Sequence, residues 1–319
     1  MRALSENPVR QPSARLVGAS DSGFVRCAGG LPRLSLSAPG RAQGNQSVVN
    51  VATGRHITLM LALAVAVATI AIPGRDLGAQ GSQAATPART ILAIGAHAGD
   101  AELTTGLLLA HQRRLGDRTV ILHLTLGEGG NPKLSPETYG EQKRREAQAV
   151  AAALGAEVLF APYKDGQLPD DDATRRYVAD VIRQVKPTHV LTHWGSSIHK
   201  DHAATSRVVV DAVLLASLPG VVTEHPAWRG IRSVWYAENW EDPDGFRPYV
   251  YVGVAPEDSS RWRNAVAKYE FVGGKISSFA YLDYYSALMT VRGAESRRGR
   301  AVSFDVDQLS KRRVIDSLP

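Results

Sequence analysis

From residue 90 onward, apolar and polar positions alternate in blocks. Residues 91–96 form an apolar run of the length of one buried strand. Residues 102–115 then set Leu103, Leu107, Leu108 and Leu115 at helical spacing, and Gly116-Asp117 closes the segment. The alternation continues with strands at 120–126, 158–161 and 189–193. Helices follow them at 136–154, 173–185 and 202–218, stopped by Gly155, Pro187 and Pro219-Gly220. Four strand–helix units in succession need helical cover on both sheet faces, which predicts an α/β fold with a mostly parallel sheet. Beyond residue 220 the pattern loosens. It predicts strands at 233–237 and 249–254, helices at 259–273 and 277–292, and a late strand at 301–306 in a polar tail.

The first 84 residues follow no such pattern. Residues 1–56 are rich in Gly, Pro, Ser, Ala and Arg and build no periodic apolar face, so they read as unfolded, or as an extension ahead of a later translation start such as Met60. Residues 57–72 are uncharged (ITLMLALAVAVATIAI) and end at Pro73-Gly74. Sixteen residues is short for a span, which takes about 20, but fits the apolar region of a secretory signal. Ser82-Gln83-Ala84 is a suitable cleavage site. A retained membrane anchor and a buried helix are the alternatives. The expected division is an extension (1–56), a signal or anchor (57–84) and one domain (85–319), its last part less regular.

Composition narrows the function. With 319 residues, 44% of them hydrophobic, the chain can bury a large core. The single cysteine, Cys27, excludes a disulfide framework and any multi-cysteine metal site. Residues 1–56 carry seven Arg against Glu6 and Asp21, which accounts for most of the net +6. The remainder is close to neutral, so no basic surface argues for nucleic acid.

Ligands of open parallel sheets bind beyond the carboxyl ends of the strands, and four polar clusters fall there. They are 95–102 after the first strand, 125–130 after the second, Lys164-Asp165-Gly166 after the third and 193–202 after the fourth. His97 leaves a strand end, Asp100 opens a helix, and His202 enters from another helix start. Two imidazoles and a carboxylate leave a coordination position open, as in catalytic zinc sites. Asp201 is placed to orient His199 or a metal-binding histidine. His199 is placed to donate to an oxyanion or to protonate a leaving amine. One histidine in a loop is ordinarily a surface residue; five such residues at adjacent strand ends are not.

Three segments, His97-Ala98-Gly99-Asp100-Ala101-Glu102, Thr125-Leu126-Gly127-Glu128-Gly129 and His199-Lys200-Asp201-His202, resemble the signatures of the LmbE-like or PIG-L-like zinc N-deacetylases. The resemblance covers residues 91–213 and weakly reaches Tyr285. It implies a Rossmann-like three-layer α/β fold and removal of acyl groups, commonly acetyl from N-acetylglucosamine-type amides. It implies one Zn²⁺ on His97, Asp100 and His202, with other divalent metals able to take the same ligands. It also implies a carbonyl-polarising or leaving-group role for His199, supported by Asp201. The pattern departs at one position: the family's general-base aspartate is Gly99 here. Three readings stand. The base has moved to Glu128, Asp165 or Glu102; the hydroxide attacks unaided; or the protein binds metal and carbohydrate without hydrolysis. Glu102 has in addition the plain role of a first-turn acid facing the helix dipole.

The stretch 236–246 combines aromatics and acids into a sugar-binding lip, with Glu238 and Trp240 as its candidates and Trp194 as a pocket wall. Its plain alternative is a core tryptophan beside a solvated acidic turn. No Gly-x-Gly-x-x-Gly spacing for a dinucleotide and no Gly-x-Ser-x-Gly elbow for a serine hydrolase is present. The expected partner is a small amide or amino sugar, with membrane contact only through residues 57–72 if they are retained. Mass spectrometry of the natural N-terminus checks the leader: the expected mature chain begins at Ala85, and a chain beginning near residue 1 in a cytosolic fraction refutes export.

Overall fold

The computed structural model describes residues 89–242 and 244–312. The expected segments 1–56 and 57–84 lie outside them. Seven strands form one sheet in the order β3-β2-β1-β4-β5-β7-β6. The strands β1 (Thr90–Gly95), β2 (Arg118–His123), β3 (Glu157–Phe160), β4 (His189–His193) and β5 (Ser233–Ala237) are mutually parallel. The late strand β7 (Arg300–Val306) inserts antiparallel between β5 and β6 (Val250–Val254). Strand order reverses at β1, whose neighbours are β2 and β4, so a crevice opens beyond the ends of β1 and β4.

Strand alternation divides the core. Ile91 and Ala93 face one layer with Ile121 and Leu191, packed by α2 (Gly106–Arg114), α3 (Pro136–Leu154), α6 (Pro256–Val266) and α7 (Tyr281–Glu295). Leu92 and Ile94 face the other with Val120 and Val190, packed by α4 (Asp172–Val185) and α5 (Lys200–Ser217). The sequence thus foretells both layers of helices and the parallel body of the sheet.

The bounds of three expected helices change most. The single helix expected over 102–115 is two, α1 (Asp100–Thr104) and α2, bent at Thr105. Thr104 and Thr105 each bond their hydroxyl back to the carbonyl four residues earlier, an arrangement that bends helices. The helix expected over 259–273 begins earlier, at Pro256, and ends at Val266. The one expected from 277 begins at Tyr281, which releases Ser277 and Ser278 to line the crevice. Among the described residues no helix is long and apolar enough to cross a membrane.

Asp258 ties α6 to α2. Its carboxylate accepts from Arg114 Nε (2.8 Å), Arg114 Nη2 (2.8 Å) and the Ala255 amide (3.2 Å), and stands 2.7 Å from His111 Nδ1. Burial alone would raise its pKa, but the Arg114 and His111 hydrogen bonds outweigh it and hold it at about 2. A carboxyl depressed in the folded state stabilises above its unfolded pKa, and that stability is lost as pH falls through the folded value. Asp258 should therefore contribute about 2 kcal/mol at neutral pH that disappears between about pH 4 and 2. Urea unfolding of Asp258→Asn across that range should show a flatter acid limb than the parent.

Candidate active site

The turn between β1 and α1 aims two side chains at one point. Asp100 Oδ2 accepts the His97 amide (2.7 Å) and stands 3.1 Å from His97 Nδ1. His202, in the first turn of α5, brings Nε2 to 3.3 Å from Asp100 Oδ2 and 3.2 Å from His97 Nδ1. Three atoms bonded tetrahedrally at about 2.0–2.1 Å from one centre lie about 3.3 Å apart. The triangle has the size and the N/O chemistry of three ligands of one divalent ion, and these residues fit such an ion.

The far nitrogen of each histidine meets a carboxylate, as outer partners of metal-binding imidazoles do. Asp165 Oδ1 stands 3.1 Å from His97 Nε2, with Asp201 Oδ2 at 3.6 Å, and Glu241 Oε2 stands 3.1 Å from His202 Nδ1. Asp165 is fixed by the Gly129 amide (3.0 Å) and Asp201 by the Gly166 amide (2.7 Å). Gly127 has φ +69°, and a Cβ on it would lie 3.2 Å from His97 Cβ. The glycines of this loop give the ring its space.

Charge follows from this packing. Burial lowers the pKa of His97, yet Asp100, Asp165 and Asp201 raise it well above the ordinary histidine value. Burial opposes protonation of His202 too, but Asp100 and Glu241 raise its pKa to about 9. Asp100 is held well below the carboxylate range, burial being outweighed by His202 and His97. His193 behaves oppositely: burial first, then His202, lower it to about 4. Its Nε2 accepts the Ala96 amide at 3.0 Å, and its ring stacks on His202 at 4.1 Å. It is a neutral wall behind His202.

A cavity of about 520 Å³ opens in front of the triangle, large enough for a sugar-sized molecule. His199 lies at its edge, 4.6 Å from His97 between ring centres. Its Nδ1 accepts the Asp201 amide (3.2 Å), so in the neutral ring Nε2 carries the proton. Burial, then His97 and His202, keep its pKa below the ordinary value. The Asp201 carboxylate faces His97, not His199; of the two orientations open to it from sequence, the metal-site histidine is the one it takes.

The other candidates divide. Asp165 and Trp240 line the cavity, Trp240 stacked on Phe279 at 4.5 Å. Glu128 accepts the Asp165 amide through Oε1 (3.0 Å) and braces that loop without lining the cavity. Glu102 is fully buried and spent on structure: it accepts from the Gly99 amide (3.1 Å) and Tyr269 Oη (2.7 Å). Two expectations are corrected. Glu238 turns away from the cavity to bind Arg292 and Ser303 Oγ (2.6 Å), because the chain turns after β5 and sends Glu238 and Glu241 to different sides. Trp194 is held by Asp244 O (2.8 Å) against Tyr236 and Phe246, outside the cavity lining. Sequence reasoning gave no role to His193, Glu241 or Lys143. The first two lay in stretches already singled out; Lys143 lay in a helix rich in Glu, Gln, Lys and Arg, where nothing local marks it.

A switch-point crevice with a two-histidine, one-carboxylate centre defines a Rossmann-like protein with a cluster able to hold a metal ion. Residues 92–213 match the family model described as PIG-L, GlcNAc-PI de-N-acetylase. Over that segment the chain is similar to this PIG-L, or LmbE-like, family. It is 24% identical to the 4-oxalmesaconate hydratase of Pseudomonas putida over 68% of this chain and 85% of that one. It is 30% identical to a 1D-myo-inositol 2-acetamido-2-deoxy-alpha-D-glucopyranoside deacetylase of Acidothermus cellulolyticus over 39% of this chain and 53% of that one. The chain spans 53–62% of the length of that deacetylase and three others of the same name. Among solved structures, the conserved protein TT1542 of Thermus thermophilus superposes with a TM-score of 0.62 at 27% identity, over 72% of this chain and all of that one.

Gly99 has φ +115°, and a Cβ there would lie 2.6 Å from Phe271 Cζ. Restoring a carboxylate by Gly99→Asp should therefore cost about 2–4 kcal/mol, from a left-handed backbone and an overpacked ring together. Gly99→Asp/Phe271→Ala should be less destabilised than the two single changes summed, measured as a double-mutant cycle in urea.

Proposed function

We propose that the protein is a metal-dependent hydrolase that removes a small acyl group, acetyl above all, from the nitrogen of an amino sugar or similar amide. The observation that carries this reading is the His97–Asp100–His202 triangle facing a sugar-sized cavity with His199 on its edge. The deacetylase relatives support it. We assign one Zn²⁺ to the triangle, since two imidazoles and a carboxylate with an open position suit it, while Fe²⁺, Co²⁺ and Mn²⁺ accept the same ligands. Such an ion, when bound, supplies Lewis acidity toward water and the amide carbonyl.

The chain's own groups do the rest. Asp165 and Glu241 hold the rings of His97 and His202 in their ligand orientation. Neutral His199 donates its Nε2 proton toward the oxygen that gains charge as the amide is attacked. Of the three carboxylates considered as a moved base, Asp165 reaches the cavity. Its hydrogen bond with His97 holds its pKa below the usual range, so it is a weak proton acceptor. A well-matched base contributes about 10²–10⁴-fold, so turnover should be slow by that order. A second reading, metal and carbohydrate binding without hydrolysis, is favoured by Gly99. We further assign an exported location, on the sequence of residues 57–72 alone.

Metal analysis and a zinc-supplemented assay on N-acetylated sugars and simple amides test both readings. His202→Ala should lose metal and activity together. His199→Ala should keep its metal and lose about 10²-fold in kcat. Metal uptake and sugar binding with no hydrolysis of any amide would establish the second reading; no metal uptake would remove both.

A further inference from the structure

The hydrolytic scheme leaves one charged wall of the cavity unused. Lys143, on α3, takes a place among Tyr139, Ala147, Val150 and Ala151 on the buried face of that helix and is 4% exposed. Its ammonium points at the turn after β1, where it donates to Ala98 O, and it lines the cavity. It sits 4.0 Å above the Phe271 ring centre and 4.8 Å above that of Tyr269. It pairs directly with no carboxylate among the described residues; Asp100, Glu102, Glu146 and Asp165 act on it only from a distance. An ammonium has three protons to donate. One goes to Ala98, and aromatic faces attract the charge without satisfying the others. Burial lowers the pKa to about 8, which leaves the group charged at neutral pH. A buried ammonium is costly without a partner.

The place of this charge matters. Nζ is 3.6 Å from the point a side chain on residue 99 would first occupy. Where the family pattern sets a carboxylate, this chain offers a cation. A carboxylate there would repel an anionic ligand, and the ammonium attracts one.

We infer that the ligand of this site carries a carboxylate close to its reacting carbonyl, and that Lys143 binds it. The reacting carbonyl rests on the hydrolase reading above; the anion site does not. A single ammonium, flanked by the acids Asp100 and Asp165 in the same cavity, suits a monoanionic group.

Calorimetric titration of the full chain with N-acetylglycine and with its neutral analogue N-acetylglycinamide tests this directly. The two probes share the acetamide and differ in the carboxylate. Wild type, zinc-loaded and again after chelation, should bind N-acetylglycine about tenfold tighter, the worth of one charge-assisted hydrogen bond. Lys143→Met should bring the ratio to within about twofold, and Lys143→Arg should keep it. A lysine that merely staples the turn would leave the ratio unmoved. Equal binding of the two probes by wild type overturns the inference without need of a variant. So does a preference that vanishes on chelation and survives Lys143→Met, since the metal alone would then hold the carboxylate. The two readings fail separately. Selective binding with no amide hydrolysed removes the hydrolase and keeps the anion site. Hydrolysis of N-acetylglucosamine with no preference between the probes does the reverse.

Discussion

The site hangs on one buried carboxylate. Glu102 accepts the Gly99 amide and the Tyr269 hydroxyl and stands 3.1 Å from His123 Nε2 at the end of β2. Its backbone carbonyl accepts the indole of Trp262 in α6 (2.8 Å). A strand end, a helix and the segment after that helix therefore meet at one residue. Burial would raise its pKa, but His123 and the hydrogen bonds lower it, so it stays an acceptor. An ionised buried acceptor fixes the Gly99 amide, and the Gly99 amide fixes the turn. Asp100 and His97 then have one direction in which to point. The plain role expected for Glu102, a first-turn acid, understates this: it does take the reciprocal cap position at the helix start, but its energetic weight comes from what it joins.

The same turn explains why the centre favours a cation. Asp100, Asp165, Asp201 and Glu241 surround two imidazoles and raise their affinity for protons. A metal ion satisfies the same field at the same nitrogens, and competes with protons for them. His193 and His199 lie beside these carboxylates and yet have lowered pKa values, since burial and the neighbouring rings dominate there. Four histidines within one crevice thus divide into two that take positive charge and two that stay neutral. The two that take charge each face several carboxylates, whereas burial and the neighbouring rings outweigh Asp100 at His193 and Asp201 and Glu241 at His199.

Much of this was legible in the sequence, and for a physical reason. In a parallel sheet, strand ends gather by topology, so His97, Asp100, Asp165, His199 and His202 could be placed together without coordinates. Legibility failed where side-chain direction decides. Glu238 and Glu241 are equal candidates in a string of acids; only the path beyond β5 separates one on Arg292 from one on His202. It failed again where a polar residue takes a core position. Lys143 sits in a helix full of Lys, Arg, Glu and Gln, and nothing local marks it as the one whose charge is buried. The antiparallel entry of β7 between β5 and β6 is a long-range pairing that no local pattern specifies.

Gly99 and Lys143 are best understood together, since the ammonium stands 3.6 Å from where a side chain on residue 99 would begin. A site that had only lost its base would have space beside residue 99. Here that space is filled: the Phe271 ring lies where a Cβ would go, and the Lys143 ammonium stands just beyond it. Phe271 is in turn held edge-on by Tyr281 and against Tyr269. The wall of the cavity is therefore built around glycine, with a cation behind it. A carboxylate at this spot serves to take a proton from water. A cation at the same spot cannot do so while it is charged, but it can hold an anion against the turn that carries the metal ligands. On the proposed reading, His97, Asp100 and His202 keep the chemistry of the centre, while Lys143, from a different helix, selects what enters.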